Sequence, residues 1–548
     1  MLPHRFVPIL LLATALPGTA APAESRDAVM ERQVKAHATF LADDLLEGRG
    51  AGTRGHALAM AYVSAQFQRL GLEPAGTEGF LQPMSFRESR LDREAGRLVL
   101  HHGGGETAFT MVTEALARPA AGEASSETTA PAIFAGFGIH APESGYDDFG
   151  GGLDVRGKIV VVLAGSPTTL PATARAHYSR SKAAELAGRG AVGWVSVETP
   201  AEEKRVPWAL QANRGRFPTM RLVEPDGSLF EAFPGLRGSA SVSRAAAGKL
   251  FAHAPKTADE VFAAAARGEA QSFPLGVELT IAGRAAVSDA KSANVLGWLA
   301  GADPSLAGEP LVITAHLDHL GIGPAVDGDT IYNGLFDNAV GTAAMLAVAE
   351  ELAGGPKPRR PVLFASLTAE EKGLLGAHYL ARRPPPRVRR FAANLNIDMP
   401  VIAAAVRDVI PIGAEHSSLG AVLTAAAKRL GFTVSPDPQP EEVFFVRSDQ
   451  YPFVRNGIPA LYIKAGQRST EPGVDLKALE AEFRKQRYHQ PNDDSAHPPH
   501  WPSVGAFAAL EAEVARAIAD DPKAPAWNPG DFFGTRFGPA KDAPAGTR

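Results

Sequence analysis

The chain reads as an α/β protein, a sandwich of helices on a mostly parallel central sheet, with a smaller β-rich unit inserted into it. Three observations predict this. Between residues 294 and 463, short apolar runs that suit buried strands alternate with longer runs that suit helices. His, Asp and Glu residues stand at the downstream ends of those apolar runs, where parallel sheets gather their functional groups. Between about 131 and 250 the pattern changes to a compact β-rich stretch that holds no cluster of catalytic residue types.

At 548 residues the chain exceeds one ordinary core, so two or three domains are expected. A net charge of -5, with 21% charged and 45% hydrophobic residues, is a globular composition and excludes a basic nucleic-acid footprint. Phe6 to Leu16 is almost wholly apolar, and small residues follow at Gly18-Thr19-Ala20 and Ala21-Pro22-Ala23. Residues 1–23 therefore read as a secretory signal peptide, and the mature protein as exported, periplasmic or secreted. No other run is long and apolar enough to suggest stable membrane insertion. There are 0 cysteines, so thiolate chemistry is excluded and any metal must sit on His and carboxylates. The expected division is 24–130 for the start of the main domain, 131–250 for the insert, 251–520 for the catalytic part and 521–548 for a loose Pro- and Gly-rich tail.

In chain order, Asp27 to Leu46 and Ala57 to Leu70 suit helices flanking the Gly- and Arg-rich turn Gly48 to Gly55. That turn lacks the Lys-Ser/Thr ending of a nucleotide loop and reads as packing beside a site. Leu98 to Val112 suggests short strands, and Ala117 to Thr129 a linker or exposed loop. Inside the insert, Ile133 to Gly138, Lys158 to Leu163 and Gly190 to Val195 suit strands, with a helix through Lys182 to Leu186. Beyond Phe273, Asn294 to Leu299, Leu311 to Thr314, Val362 to Leu367, Phe391 to Ile397 and Ala460 to Ile463 suit strands, and Val340 to Leu352 and Ala421 to Leu430 suit helices.

The chemistry concentrates at the strand ends. Leu311 to Ala315 delivers His316-Leu317-Asp318-His319, and the chain later supplies Asp337, Glu370-Glu371, Asp398 and His489. Unpaired buried carboxylates are strongly unfavourable, and two divalent cations sharing a bridging aspartate would remove that penalty. Of the adjacent glutamates, one suits a ligand and the other a general base. Asp318 is placed to orient the His316 ring. His319 reads either as an outer hydrogen-bonder or as a structural histidine. His489 and Tyr488, in a basic and polar run, carry no local signal of their own.

At these residues the chain resembles the M28 family of zinc aminopeptidases, specifically exported bacterial members with an inserted protease-associated domain. The resemblance rests on Phe40 to Arg49, Ala315-His316-Leu317-Asp318-His319-Leu320-Gly321, Gly328 to Gly334, Asp337-Asn338-Ala339, Ala369 to Gly376, Asn396-Ile397-Asp398-Met399, Ser448-Asp449 and Tyr488-His489-Gln490-Pro491. It implies the zinc-peptidase α/β sandwich and two zinc ions per chain. Asp337 would bridge them, His316 and Asp398 would complete one, and Glu371 and His489 the other. Glu370 would be the general base, Tyr488 would stabilise the oxyanion, and Arg447 would contact substrate. Substrates would be peptides with a free N-terminus. The insert, with Asp154 to Ile159, is similar to a protease-associated domain. Phe336, Val340 and Gln450 depart from the family pattern, and Phe336 is expected to narrow the site or alter its preference. No motif fixes an oligomeric state.

Two other readings stay open. A carboxypeptidase or dipeptidase of the same superfamily would use the same metal set with different pocket groups. A non-catalytic binding protein would have lost a ligand or the base, and none is lost here.

Overall fold

A computed structural model describes residues 24–538. The expected signal peptide lies outside the described residues, as does the 539–548 end of the expected tail. Among the described residues no helix is long and apolar enough to cross a membrane.

The catalytic part is built on four parallel strands. Leu311–His316 runs parallel to Val362–Leu367 on one side and to Ala393–Asn396 on the other, and Ala393–Asn396 runs parallel to Ala460–Ala465. Antiparallel strands flank this core, Asp408–Ile412 beside Ala460–Ala465 and Ser272–Leu299 beside Val362–Leu367. Every residue of Leu311–His316 and Val362–Leu367 is buried, which explains why these strands are continuously apolar and do not alternate. Helices Arg26–Leu41, Val340–Gly354 and Trp501–Asp520 cover one face of the sheet. Leu375–Arg382 and the side chains of Phe391 and Phe453 cover the other. Val340–Gly354 is apolar almost all round because the other helices enclose it, and Val340 is one of its core residues.

The strand Ser272–Leu299 is 28 residues long and belongs to both parts of the molecule. Its second half pairs with Leu81–Leu91 and Val362–Leu367 in the catalytic sheet. Its first half pairs with Arg97–His102 and Ser125–Ala135 in a second sheet. That second sheet continues through Ile159–Leu163, Gly193–Val197, Gly238–Val242 and Ala115–Pro119. It encloses a separate core that includes Leu98, Leu100, Val161, Leu279 and Ile281. The second unit therefore extends past the expected bounds of 131–250 on both sides.

Two further expectations need correction. Ala117 to Thr129 is not a linker: it holds the end of strand Ala115–Pro119 and the start of Ser125–Ala135. Its Ala, Ser and Thr residues alternate between exposed and buried, a strand pattern hidden by small side chains. The segment from 521 to 538 is not loose either. The Asp521 carbonyl accepts from Arg360 (3.0 Å), Trp527 Nε1 donates to the Gly457 carbonyl (3.0 Å), and Phe533 is fully buried against Phe445 and Tyr451.

Candidate active site

Three strand ends and two loops converge on one cluster. The parallel strands deliver His316, Glu370-Glu371 and Asp398 from their downstream ends. Asp337 precedes the helix Val340–Gly354, and His489 follows the helix Leu476–Gln486. His316 Nε2 lies 3.1 Å from Asp398 Oδ1 and 3.3 Å from Asp337 Oδ1. His489 Nε2 lies 3.2 Å from Asp337 Oδ2 and 3.2 Å from Glu371 Oε2. Asp337 thus turns one oxygen to each histidine. In a tetrahedral zinc site with metal–ligand bonds of about 2.0–2.1 Å, neighbouring ligand atoms sit roughly 3.3 Å apart. The four separations match that edge, so these residues fit two zinc ions sharing Asp337.

The rest of the cluster holds these groups in place. His316 Nδ1 lies 3.0 Å from the backbone carbonyl of Asp318. Asp318 therefore orients the ring as expected, and does so through its main-chain carbonyl. The carboxylate instead accepts from the Glu370 and Glu371 amides at 3.0 and 3.4 Å, because a buried acid at a strand end is best satisfied by the adjacent turn. His319, fully buried, lies 2.9 Å from Glu371 Oε1 and 3.9 Å from Asp337 Oδ2. It belongs to the cluster: its ring lies 5.7 Å from that of His489, and with Asp337 and Glu371 it forms a group that could hold a metal ion. Ala369 and His489 adopt left-handed backbone conformations, with φ of 56° and 59°. Such geometry in non-glycine residues is tolerated where the surroundings over-determine it.

Burial of three carboxylates shapes the charges. Burial and the neighbouring Glu371 push the Asp337 carboxyl up, but His316, His489 and His319 outweigh them and hold it at about 2. Burial disfavours the His489 imidazolium, yet Glu371 and Asp337 raise its pKa to about 9. Glu370 differs from its neighbour. Burial, then Glu371, Asp449 and Asp398 against the pull of His316, raises it well above the carboxylate range. Its side chain makes no hydrogen bond or ion pair among the described residues and lines the cavity above the cluster. Tyr488 stacks on His489 with ring centroids 3.9 Å apart and also lines that cavity. Burial raises its phenol pKa, which keeps the hydroxyl a donor.

The cavity is small, about 50 Å³. Phe444, Arg447 and Tyr462 wall it, together with Met399 and Arg484. Arg447 is braced by Glu442 (2.6 Å) and Arg484 by Glu480 (3.1 Å). Phe336 is not in the wall, contrary to expectation. It is buried against Phe483, 5.2 Å between centroids, because its backbone is drawn inward by Asp493. Gln450 lies behind the wall: its amide donates to the Phe444 and Phe445 carbonyls and accepts from Asn396.

Sequence reasoning missed Asp493. Its carboxylate accepts from the Phe336 and Asp337 amides, and its carbonyl from Leu335, so it fixes the loop that carries the shared aspartate. An acidic pair just after His489-Gln490-Pro491-Asn492 was the only available signal. Arg49, in the Gly-rich turn, is buried and donates to the Leu317, Leu41, Asn333 and Gly334 carbonyls. The turn thus packs beside the site, with its Arg49 engaged by main-chain carbonyls. Gly48 within it has φ of 64°, and a Cβ there would collide with the Tyr332 carbonyl.

Residues 294–515, which contain every one of these ligand-type side chains, match the model of Peptidase family M28. The chain carries an M28 peptidase domain. An aminopeptidase from Aneurinibacillus sp. strain AM-1 is 18% identical, with 91% of this chain and 95% of that chain covered and a TM-score of 0.52. The zinc aminopeptidase BSAP from Bacillus subtilis is 19% identical over 88% of this chain and 93% of that one, at a TM-score of 0.44. A peptidase M28 precursor from Shewanella amazonensis SB2B is 16% identical over 91% and 97%, at 0.43. Among curated proteins no relative matches the chain. The first of these likenesses shows a shared fold over 91% of the chain.

Proposed function

We propose that this M28 peptidase is an exported aminopeptidase that uses two zinc ions per chain to hydrolyse the first peptide bond of peptides with a free N-terminus. The observation that carries the reading is the small cavity, about 50 Å³, lined by Glu370 and Asp398 beside His316, Asp337, Glu371 and His489. So little room suits a single terminal residue of a peptide, and the acidic groups beside it favour an α-amine.

In this reading His316, Asp337 and Asp398 hold one ion, and Asp337, Glu371 and His489 the other. Bound zinc supplies Lewis acidity to the scissile carbonyl and acidifies water. Glu370, free of other partners among the described residues and with a raised pKa, takes a proton from the attacking water and delivers it to the leaving amine. The Tyr488 hydroxyl donates to the oxyanion as it develops. Arg447 contacts the substrate from the cavity wall. Export rests on the apolar Phe6 to Leu16 run and the small residues after it.

The second unit is read as a protease-associated domain that limits access. Its helix Ala172–Gly188 packs on the wall segment: His177 Nδ1 lies 2.8 Å from the Tyr451 hydroxyl, and the Arg180 guanidinium stands 5.9 Å from the Tyr451 ring.

One feature favours the carboxypeptidase alternative. Arg447 and Arg484 in the wall could receive a substrate carboxylate, although Glu442 and Glu480 already pair with them. A single experiment separates the two. The zinc-loaded protein is given a short peptide blocked by N-acetylation or by C-terminal amidation, and products are read by mass spectrometry. Acetylation is expected to abolish cleavage and amidation to leave it nearly unchanged. The reverse pattern makes the enzyme a carboxypeptidase.

A further inference from the structure

A cavity of about 650 Å³ lies between the two units, more than ten times the volume of the one above the His316–Asp337 cluster. Its size falls in the range of about 300–1,000 Å³ typical of small-molecule sites. Four basic side chains line it: Arg87, Arg118, Arg221 and Lys372. Arg87 is satisfied by Asp289 at 2.8 Å. The other three make no ion pair among the described residues, although Glu371, Asp318 and Glu88 act on Lys372 from a distance. Arg118 donates only to the Ser241 hydroxyl, at 3.1 Å. Glu231, the acid in the lining, is held by Arg455 at 2.6 Å and acts on Arg221 only from a distance.

The three cations come from different parts of the fold. Arg118 is on the strand Ala115–Pro119 of the second sheet. Arg221 is on Thr219–Leu222, which pairs with Leu81–Leu91 of the catalytic sheet. Lys372 directly follows the Glu370–Glu371 pair. Confining guanidinium groups without a nearby anion is unfavourable: burial lowers the pKa of Arg118 and of Arg221, with only Glu231 opposing it at the latter. Trp194 and Phe217 supply an aromatic wall beside the charges.

We propose that this inter-unit cavity is a binding site for a small dianion, bearing phosphate or paired carboxylates, held by Arg118, Arg221 and Lys372. Guanidinium forks suit such oxyanions because they offer paired donors in one plane. A ligand there joins the second unit to the loop that carries Glu370 and Glu371. The site is independent of the proposed aminopeptidase chemistry and stands on its own lining.

The test is calorimetric titration of the full zinc-loaded protein, at constant ionic strength, with inorganic phosphate in one arm and succinate in the other. Wild type is compared with Arg221→Gln and Arg118→Gln, each checked for an unchanged circular dichroism spectrum. Saturable binding of at least one anion is expected, weakened tenfold or more in Arg221→Gln. The same anion should raise the melting temperature of wild type but not of that variant. The arm that binds identifies the ligand as phosphoryl or carboxylate. Arg221 is exposed to the cavity, so its variant keeps the fold even if the more enclosed Arg118→Gln does not. Absence of saturable heat with both anions overturns the proposal. So does equal affinity in Arg221→Gln, which places the anion elsewhere, as on the zinc pair.

Discussion

At the scale of single residues, the two adjacent glutamates show how environment divides like groups into different roles. Glu371 is engaged by His319 on one oxygen and by His489 on the other, whereas the Glu370 side chain has no hydrogen bond or ion pair among the described residues and a raised pKa. Replacing Glu370 by Gln keeps its shape and the shells of the proposed ions. Metal analysis of that variant should still find close to two zinc per chain, while turnover falls a hundredfold or more, roughly 3 kcal/mol of barrier. Normal turnover would remove Glu370 from the proton path. Phe336 gives a contrasting case. Its ring is 1% exposed and packs on Phe483. Phe336→Leu should therefore cost about 1–2 kcal/mol of stability in urea unfolding through lost packing, and leave the preference for the N-terminal residue unchanged. A shifted preference would return Phe336 to the pocket. His316, Glu371 and Asp398 were legible because strand ends with His and carboxylates are chemically conspicuous, whereas His489, in a polar run after a helix, gave no local signal. Asp493 and Arg49 were not legible either, because they act on backbone amides and carbonyls, and such partners leave no pattern in sequence.

At the scale of elements, the wall of the cavity depends on a neighbour from the other unit. The segment from Phe444 to Tyr451 carries Phe444 and Arg447 on its inner side and meets the helix Ala172–Gly188 through Tyr451. Tyr451→Phe deletes one hydroxyl and its contact with His177, worth about 1 kcal/mol. The expected outcome is a changed ratio of activity on long and short peptides, with metal content and cooperative unfolding retained. An unchanged ratio would make the second unit a scaffold and not a limit on substrate size. The strands and helices of the catalytic part were legible from hydrophobic period. The strand Ser125–Ala135 was not, because its exposed and buried positions are both filled by Ala, Ser and Thr. The long helix Trp501–Asp520 also escaped notice, since burial on nearly every side removes the polar face that period-reading needs.

At the scale of the whole molecule, two cores share one strand, and the histidines enclosed around them set how the fold responds to acid. His378 is a suitable reporter because it stands apart from the zinc-type ligands. It lies 5.0 Å from the Phe230 ring, with Arg455, Arg180 and Arg382 as its charged neighbours. Burial first, and then those three cations, lower its pKa from 6.5 to about 3. His37, His56 and His177 are depressed in the same way, to about 4, 3 and 3, each chiefly by burial. The sign follows from proton counting. Between pH 6.5 and about 3 the unfolded chain binds a proton at such a histidine and the folded chain does not. Stability is therefore fully present above pH 6.5 and is lost as pH falls toward the folded value, by about 1.4 kcal/mol per pH unit for each group. Buried acids act oppositely. Burial raises the Asp148 pKa to about 6, so its contribution is present below 3.8 and lost as pH rises through 6, which makes the total profile a difference of terms. A single variant isolates one of them. His378→Gln keeps a neutral polar side chain that cannot take up the proton. In urea unfolding at pH 7.5 the two proteins should differ by a fixed offset. At pH 5 wild type should have lost about 2 kcal/mol relative to the variant. Metal release in acid affects both proteins alike and cancels in the comparison. A pH-independent offset would mean that His378 titrates in the fold as it does in water, and that the acid limb of the stability curve belongs to other groups.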